Sequence, residues 1–166
     1  MKSSKFFLYF SILAIAQILM NNYLNLSQMM TLTVLPTLIL CAPLGITTPI
    51  LLLIAFGTGF AVDFFSTGQL GLTSAALLPV ALLRVPILSL VLGNEIFSRQ
   101  EDISKARQGA LKVSMAVLLA LLVYLIVFIW IDSAGTHPFW FNLVKLLLSL
   151  LASYLVSLIV TKMICP

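Results

Sequence analysis

The chain has 166 residues, of which 61% are apolar and 8% charged, with a net charge of +4 and a mean hydropathy of +1.17. A soluble domain of this size covers itself with a shell rich in charged side chains, so this composition excludes one and indicates an integral membrane protein. The positive charge is explained by membrane topology and does not indicate nucleic acid binding.

Apolar runs long enough to cross a bilayer recur along the whole chain. A spanning helix needs about 20 mainly apolar residues to cover about 30 Å of hydrocarbon. The runs are continuous rather than alternating, which argues against a transmembrane barrel and predicts an all-α bundle of six transmembrane helices in one domain. Prolines interrupt the second and third runs, so we place a break near Ala42 to Thr48. The predicted spans are about 6–22, 29–44, 47–65, 70–92, 110–131 and 141–163.

Small residues and a carboxylate share one face of the third predicted helix. Ala55, Gly59 and Asp63 are spaced by four residues, which aligns them. Small side chains let a neighbouring helix approach closely, and a carboxylate is too costly to face lipid. At about 1.5 Å per residue, Asp63 and Lys145 lie at matching depths below the outer ends of their helices. We therefore expect Asp63 to pair with Lys145 or else to cap the turn at residues 66–71.

The fourth predicted helix carries a cation, Arg84, well inside its apolar run. The same arithmetic places Arg84 roughly 15 Å from Asp63 along the membrane normal, which disfavours a pair between them. Three roles stay open for Arg84: snorkelling toward the inner face, binding a lipid headgroup, or facing a partner protein.

Polar residues recur at four-residue intervals along the sixth predicted helix. A serine can satisfy its hydroxyl within its own helix, so serines alone are a weak signal. A complete polar edge headed by a lysine favours packing against other helices of the bundle, with a surface for a partner protein as the alternative. The members of this edge are Lys145, Ser149, Ser153, Ser157 and Thr161.

The basic residues predict the orientation of the chain, because Lys and Arg near span ends stay on the cytoplasmic side. If the chain crosses the membrane an even number of times, seven of the basic residues lie on the same side of the membrane as the termini, and Lys145 lies on the opposite side. Both termini are therefore expected in the cytoplasm. The polar segment 94–112 is either a short helix on the inner membrane face or a solvated linker. The residues on the cytoplasmic side are Lys2, Lys5, Arg99, Lys105, Arg107, Lys112 and Lys162.

The passage LLIAFGTGFAVDFFSTGQLGLTSAALLPVALLR, residues 52–84, resembles the rod shape-determining protein MreD family. It has a glycine-containing helix, an aspartate one turn before its end, a turn of Ser, Thr and Gly, and a small-residue start of the next helix. The chain length, the six-helix pattern and an early Gln17 followed by Asn21 and Asn22 also fit that family. The residues that carry the match are Gly57, Gly59, Asp63, Ser66, Gly68, Leu70 and Gly71.

This resemblance implies a non-enzymatic component of the bacterial inner membrane. MreD-like proteins are associated with MreC, with the glycosyltransferase RodA and its penicillin-binding transpeptidase, and indirectly with the MreB filament, in lateral peptidoglycan synthesis and cell-shape maintenance. No cofactor belongs to such a role. The residues themselves offer no Ser/His/Asp set, phosphate loop or metal-ligand spacing, so we expect no catalytic or metal site.

The resemblance also supplies an alternative function. The MreD family is similar in fold to the S components of energy-coupling vitamin transporters, which bind small molecules. In that case Gln17, Asp63 and the polar edge of the sixth helix would line an outward-facing pocket. S components carry small residues four apart on the first helix, whereas Ala14 and Ala16 are two apart here, which lowers this alternative.

Overall fold

A computed structural model describes residues 3–23, 31–67, 70–93, 109–133 and 138–164. These ranges are all helix, turn and short irregular connections, with no strand among them, so the all-α prediction is confirmed. A π-helical turn, Asp63–Thr67, directly continues the third helix. The six α-helices of the described ranges are α1 Ser3–Tyr23, α2 Leu35–Leu40, α3 Thr48–Val62, α4 Leu72–Leu92, α5 Ala110–Ser133 and α6 Phe139–Ile164.

Four helical stretches of the described residues are long and apolar enough to cross a membrane. They overlap four of the predicted spans, and their length and composition fit a multi-pass membrane protein. The first helix, α1, contains a shorter apolar stretch, Leu8–Tyr23. The four long stretches are Thr48–Ser66, Leu72–Leu92, Ala110–Ser133 and Trp140–Lys162.

The second predicted span, 29–44, is wrong as a continuous helix. Residues 31–34 are not helical, α2 has six residues, and a turn follows at 41–46, while residues 29 and 30 lie outside the described ranges. Pro36 lies in the first turn of α2, where its fixed φ and missing N–H suit a helix start. Pro43 follows the end of α2 and disfavours helical geometry in the residue before it.

The short helix α2 lies inside the bundle rather than on its surface. All six of its residues are buried, and it packs against α4, α5 and α6. The helix α4 lies between α3 and α5, and α5 also packs along α6. On the other side, α1 contacts the π-helical turn, α3 and α2. The non-helical residues 31–34, called the extended segment below, thus lead into the centre of the molecule.

Candidate functional site

A glutamine of α1 binds the backbone of the extended segment. The Gln17 Nε2 donates to the Leu32 carbonyl at 2.8 Å, and its Oε1 accepts the Val34 N–H at 3.0 Å. A primary amide carries both a donor and an acceptor, so one side chain satisfies two backbone groups that a helix would have paired internally. Gln17 is fully buried, and its Nε2 also donates to Asn21 Oδ1 at 2.9 Å.

Two serines of α6 bind the other side of the extended segment. Ser149 Oγ accepts the Thr31 N–H at 3.0 Å. Ser153 Oγ accepts the Thr33 N–H at 3.1 Å and donates to the Thr31 carbonyl at 3.3 Å. Two residues of extended chain advance about 6.6 Å, and four residues of helix advance about 6 Å. The four-residue spacing of the serines therefore matches alternate residues of an extended backbone.

Further along α6, the polar edge stays buried but no longer bonds that backbone. Ser157 and Thr161 are almost completely buried. The Thr161 hydroxyl donates within its own helix, to the Leu158 carbonyl at 2.9 Å. Within the described residues, Ser157 Oγ and Thr37 Oγ1 are buried without a hydrogen-bond partner.

The Asp63 carboxylate caps the start of α4. It is fully buried, and its Oδ2 accepts the N–H of Gly71 at 3.0 Å and of Thr73 at 2.9 Å, with a longer 3.4 Å contact to the Ser74 N–H. The first N–H groups of a helix have no partner within it, and the helix dipole favours a negative charge there. Gly71 has a φ of +97°, which a glycine adopts without steric cost.

Of the two roles expected for Asp63, the structure has the cap of the turn at residues 66–71, and the pair with Lys145 is wrong. Lys145 Nζ instead donates to Asp132 Oδ2 at 2.7 Å, across the α5–α6 turn. The Tyr124 hydroxyl of α5 lies near Thr73, the residue that Asp63 caps. Asp132 is eight residues further along α5, which is about 12 Å of helix. The pair of Lys145 and Asp132 therefore lies nearer the outer end of α5 than the Asp63 cap does, a difference that depths counted from each helix end cannot reveal.

The two glycines of α3 have different surroundings. A Cβ added to Gly59 would lie 2.6 Å from the Cα and from the backbone N of Ser74, so α3 and α4 are in direct backbone contact there. The Ser74 hydroxyl reinforces this contact by donating to the Phe56 carbonyl at 3.3 Å. A Cβ on Gly57 would meet nothing within 4 Å. Close packing of the helices thus depends on Gly59 and not on Gly57.

The π-helical turn is tied to α1. Ser66 Oγ donates to the Val62 carbonyl at 2.7 Å and accepts from Asn21 Nδ2 at 3.3 Å. Asn22 Nδ2 donates to the Phe65 carbonyl at 3.1 Å. These contacts of the two asparagines were not predicted from the sequence. Gly68, another residue of the predicted turn, lies outside the described ranges, and Leu70 is exposed.

Arg84 binds the end of α2, a role that sequence reasoning did not consider. Its Nε donates to the Leu40 carbonyl at 3.2 Å, and its Nη2 donates to the Ala42 carbonyl. Only 3% of Arg84 is exposed. The last carbonyls of a helix lack intrahelical partners and carry partial negative charge, so a cation is favourable there. The short helix α2 therefore ends on the guanidinium group of α4.

Five of the buried polar residues are thus used to bind backbone. Asp63, Arg84, Gln17, Ser149 and Ser153 each contact main-chain groups of another segment. No group of three or more His, Cys, Asp or Glu side chains comes together in the part of the chain that the structure describes. Comparisons of the chain with models of protein families, with curated proteins and with solved structures found no match.

Proposed function

We propose that this protein is a non-enzymatic scaffold of the bacterial elongation, or rod, complex. In this proposal it lies in the inner membrane with both termini in the cytoplasm. It supports lateral peptidoglycan synthesis and cell shape by binding an MreC-like protein and a RodA-like glycosyltransferase with its penicillin-binding transpeptidase, and MreB indirectly. The starting point is the resemblance of residues 52–84 to the MreD family.

The observation that favours a scaffold over a vitamin-binding S component is the position of the extended segment. The alternative places a ligand among Gln17, Asp63 and the polar edge of α6. Residues 31–34 lie between Gln17 and the two serines, and their backbone uses these donors and acceptors. Asp63 is likewise used by the start of α4. A ligand would have to displace the chain itself to reach these groups.

The same contacts suit a protein that presents a fixed surface. Side chains that bind backbone hold the extended segment, the start of α4 and the end of α2 in place, while the outward faces of the bundle carry many large apolar residues. Helices in lipid associate by close packing of such faces, because lipid offers no hydrophobic driving force between them. The exposed faces of α3 and α6 are candidate partner surfaces, and they include Leu53, Phe56, Phe60, Phe64, Leu147, Leu151, Leu155 and Ile159.

Quantitative copurification tests the proposal. The protein, tagged and expressed at native level in a rod-shaped bacterium, is extracted in mild detergent, and copurified chains are measured by mass spectrometry. We expect enrichment of an MreC-like protein and a RodA-like protein over a tagged multi-pass protein of similar size and abundance. Equal recovery of these chains with both baits would contradict the scaffold.

A ligand screen tests the alternative on the purified protein. Thermal unfolding is measured with a panel of water-soluble vitamins, for the unchanged protein and for Gln17→Leu. Saturable stabilisation by one vitamin, lost in the variant, would favour the S component. Copurification of partners together with no stabilisation by any vitamin is the result that the scaffold predicts.

A further inference from the structure

A small cavity lies beside Arg84, between α4 and the beginning of α3. Its volume is about 150 Å³, and the polar groups in its wall come from Arg84, Thr47 and Thr48. About 10–15 Å³ of such volume holds one water, so the cavity is large enough for a small polar group.

We propose that this cavity binds a phosphate group, as carried by a phospholipid headgroup or by free phosphate. Arg84 supplies a buried positive charge in the cavity wall, where a planar guanidinium can bind phosphate oxygens. The first turn of α3 adds the N–H groups of Thr48 and Ile50, which have no partner within the helix and lie at the positive end of its dipole, while Pro49 has no N–H.

The threonine hydroxyls point to the same chemistry. Thr47 is the N-cap of α3, the position at which a threonine normally binds the N–H groups of the first turn, yet it makes no such bond. Thr48 is the first residue of α3 and lies in the same wall. The exposed Thr47, the half-buried Thr48, the helix start and a buried cation thus border one cavity, and this combination of donors suits an anion.

The depth of the cavity fits a headgroup near the membrane face on which the termini lie. Arg84 is eleven residues beyond Thr73, or about 17 Å along α4. Tyr124, which lies near Thr73, is twelve residues from Lys112, or about 18 Å along α5. Arg84 therefore lies at nearly the same level as Lys112 in the first turn of α5, and α4 continues for eight residues, about 12 Å, beyond it.

The cavity also has an apolar wall that reaches the lipid-facing surface. Val85 is 43% exposed, and Leu44 and Ile46 are partly exposed, so a phospholipid can approach from the side with its acyl chains against these residues. In the proposed orientation this is the cytoplasmic leaflet, whose anionic lipids are attracted to basic pockets between helices.

The test uses the purified, delipidated full-length protein and does not depend on the scaffold function. Dioleoyl phosphatidylglycerol, dioleoyl phosphatidylcholine and inorganic phosphate are titrated separately, and bound ligand and melting temperature are followed by native mass spectrometry and thermal unfolding. Arg84 is left unchanged, because it also holds α2. The variant is Thr47→Val with Thr48→Val, and the matched control is Thr58→Val, whose hydroxyl donates to the Ile54 carbonyl of its own helix at 2.6 Å.

We expect phosphatidylglycerol to bind saturably and to raise the melting temperature. Its affinity should fall about tenfold in the double variant, the loss expected for a hydrogen bond to a charged group, and stay unchanged in Thr58→Val. Stabilisation by inorganic phosphate as well would assign the site to the phosphate group alone, and its absence would assign the site to a lipid. Equal binding of phosphatidylcholine would show that the phosphate is recognised without regard to the rest of the headgroup. No saturable binding of phosphatidylglycerol, or equal affinities in the double variant and the control, would overturn the proposal.

Discussion

The carboxylate of Asp63 accepts the backbone N–H of Thr73, ten residues further along the chain, at 2.9 Å. This one contact joins the end of α3 to the beginning of α4 and fixes the angle at which the two helices meet. The close approach at Gly59 lies one helical turn away on the same face. The glycine and the carboxylate therefore serve the same structural purpose.

Replacing Asp63 by leucine should destabilise the fold by about 3 kcal/mol, because buried N–H groups at the start of α4 lose a charged acceptor. Asp63→Asn should cost less, since asparagine is nearly as good as aspartate at a helix start. Reversible unfolding of the purified protein by SDS titration in mixed micelles measures both free energies. An unchanged unfolding free energy in the leucine variant would contradict the capping role.

The glycines of α3 provide a matched pair. Gly59→Ala should lower the melting temperature and cost about 1–3 kcal/mol, because the added methyl group overlaps the Ser74 backbone, which cannot move aside as a flexible side chain would. Gly57→Ala should be neutral or stabilising by up to about 1 kcal/mol, since alanine favours a helix and the space is open. Thermal unfolding in detergent compares the two variants. Equal changes in melting temperature for the two variants would contradict a role of the α4 contact at Gly59.

Charge reversal distinguishes the ion pair that the structure contains from the one that the sequence suggested. Lys145→Glu should destabilise the protein, because it places a second carboxylate beside Asp132. Adding Asp132→Lys should recover the lost stability. The coupling energy between the two substitutions should be only about 1 kcal/mol, because the Asp132 side chain is 29% exposed and water screens the pair.

The control for that cycle is Lys145→Glu combined with Asp63→Lys. It should be less stable than either single variant, because Asp63 serves the α4 backbone at a different depth. Unfolding free energies of all variants give the two coupling energies. A rescue by Asp63→Lys equal to that by Asp132→Lys is incompatible with the observed pairing.

Two serines of α6 one turn apart should respond differently to loss of the hydroxyl. Ser153→Ala removes the acceptor of the Thr33 N–H and should cost about 1–3 kcal/mol, with faster amide exchange in residues 31–34. Ser157→Ala removes a buried hydroxyl that has no partner among the described residues, so it should be neutral or stabilising. Hydrogen exchange and thermal unfolding are measured together. A destabilising Ser157→Ala would mean that a water or another group satisfies this hydroxyl.

For the polar edge of α6, burial could be predicted from the sequence but the contact partner could not. Its spacing predicts one buried face, and Ser149, Ser153 and Ser157 are fully buried. Which segment this edge contacts could not be predicted, since a row of hydroxyl groups can pack against either an extended backbone or another helix. The second predicted span is a case in which the sequence pattern led to a wrong prediction. Its hydropathy suits a helix, and only the partners of its backbone, from α1 and α6, show why residues 31–34 need no helix.

The sequence by itself determined that the protein belongs in a membrane, that it is helical, where the long apolar helices lie and that Asp63 is buried. Hydropathy and helical periodicity, on which these conclusions rest, are local properties of the chain. The tertiary structure alone decided that Lys145 binds Asp132, that Arg84 closes α2 and that Gln17 binds the extended segment. These contacts depend on the relative depths of helices, and no local pattern contains them. The axial offset between the Asp63 cap and the pair of Lys145 and Asp132 arises when the helices pack, and it selects each partner.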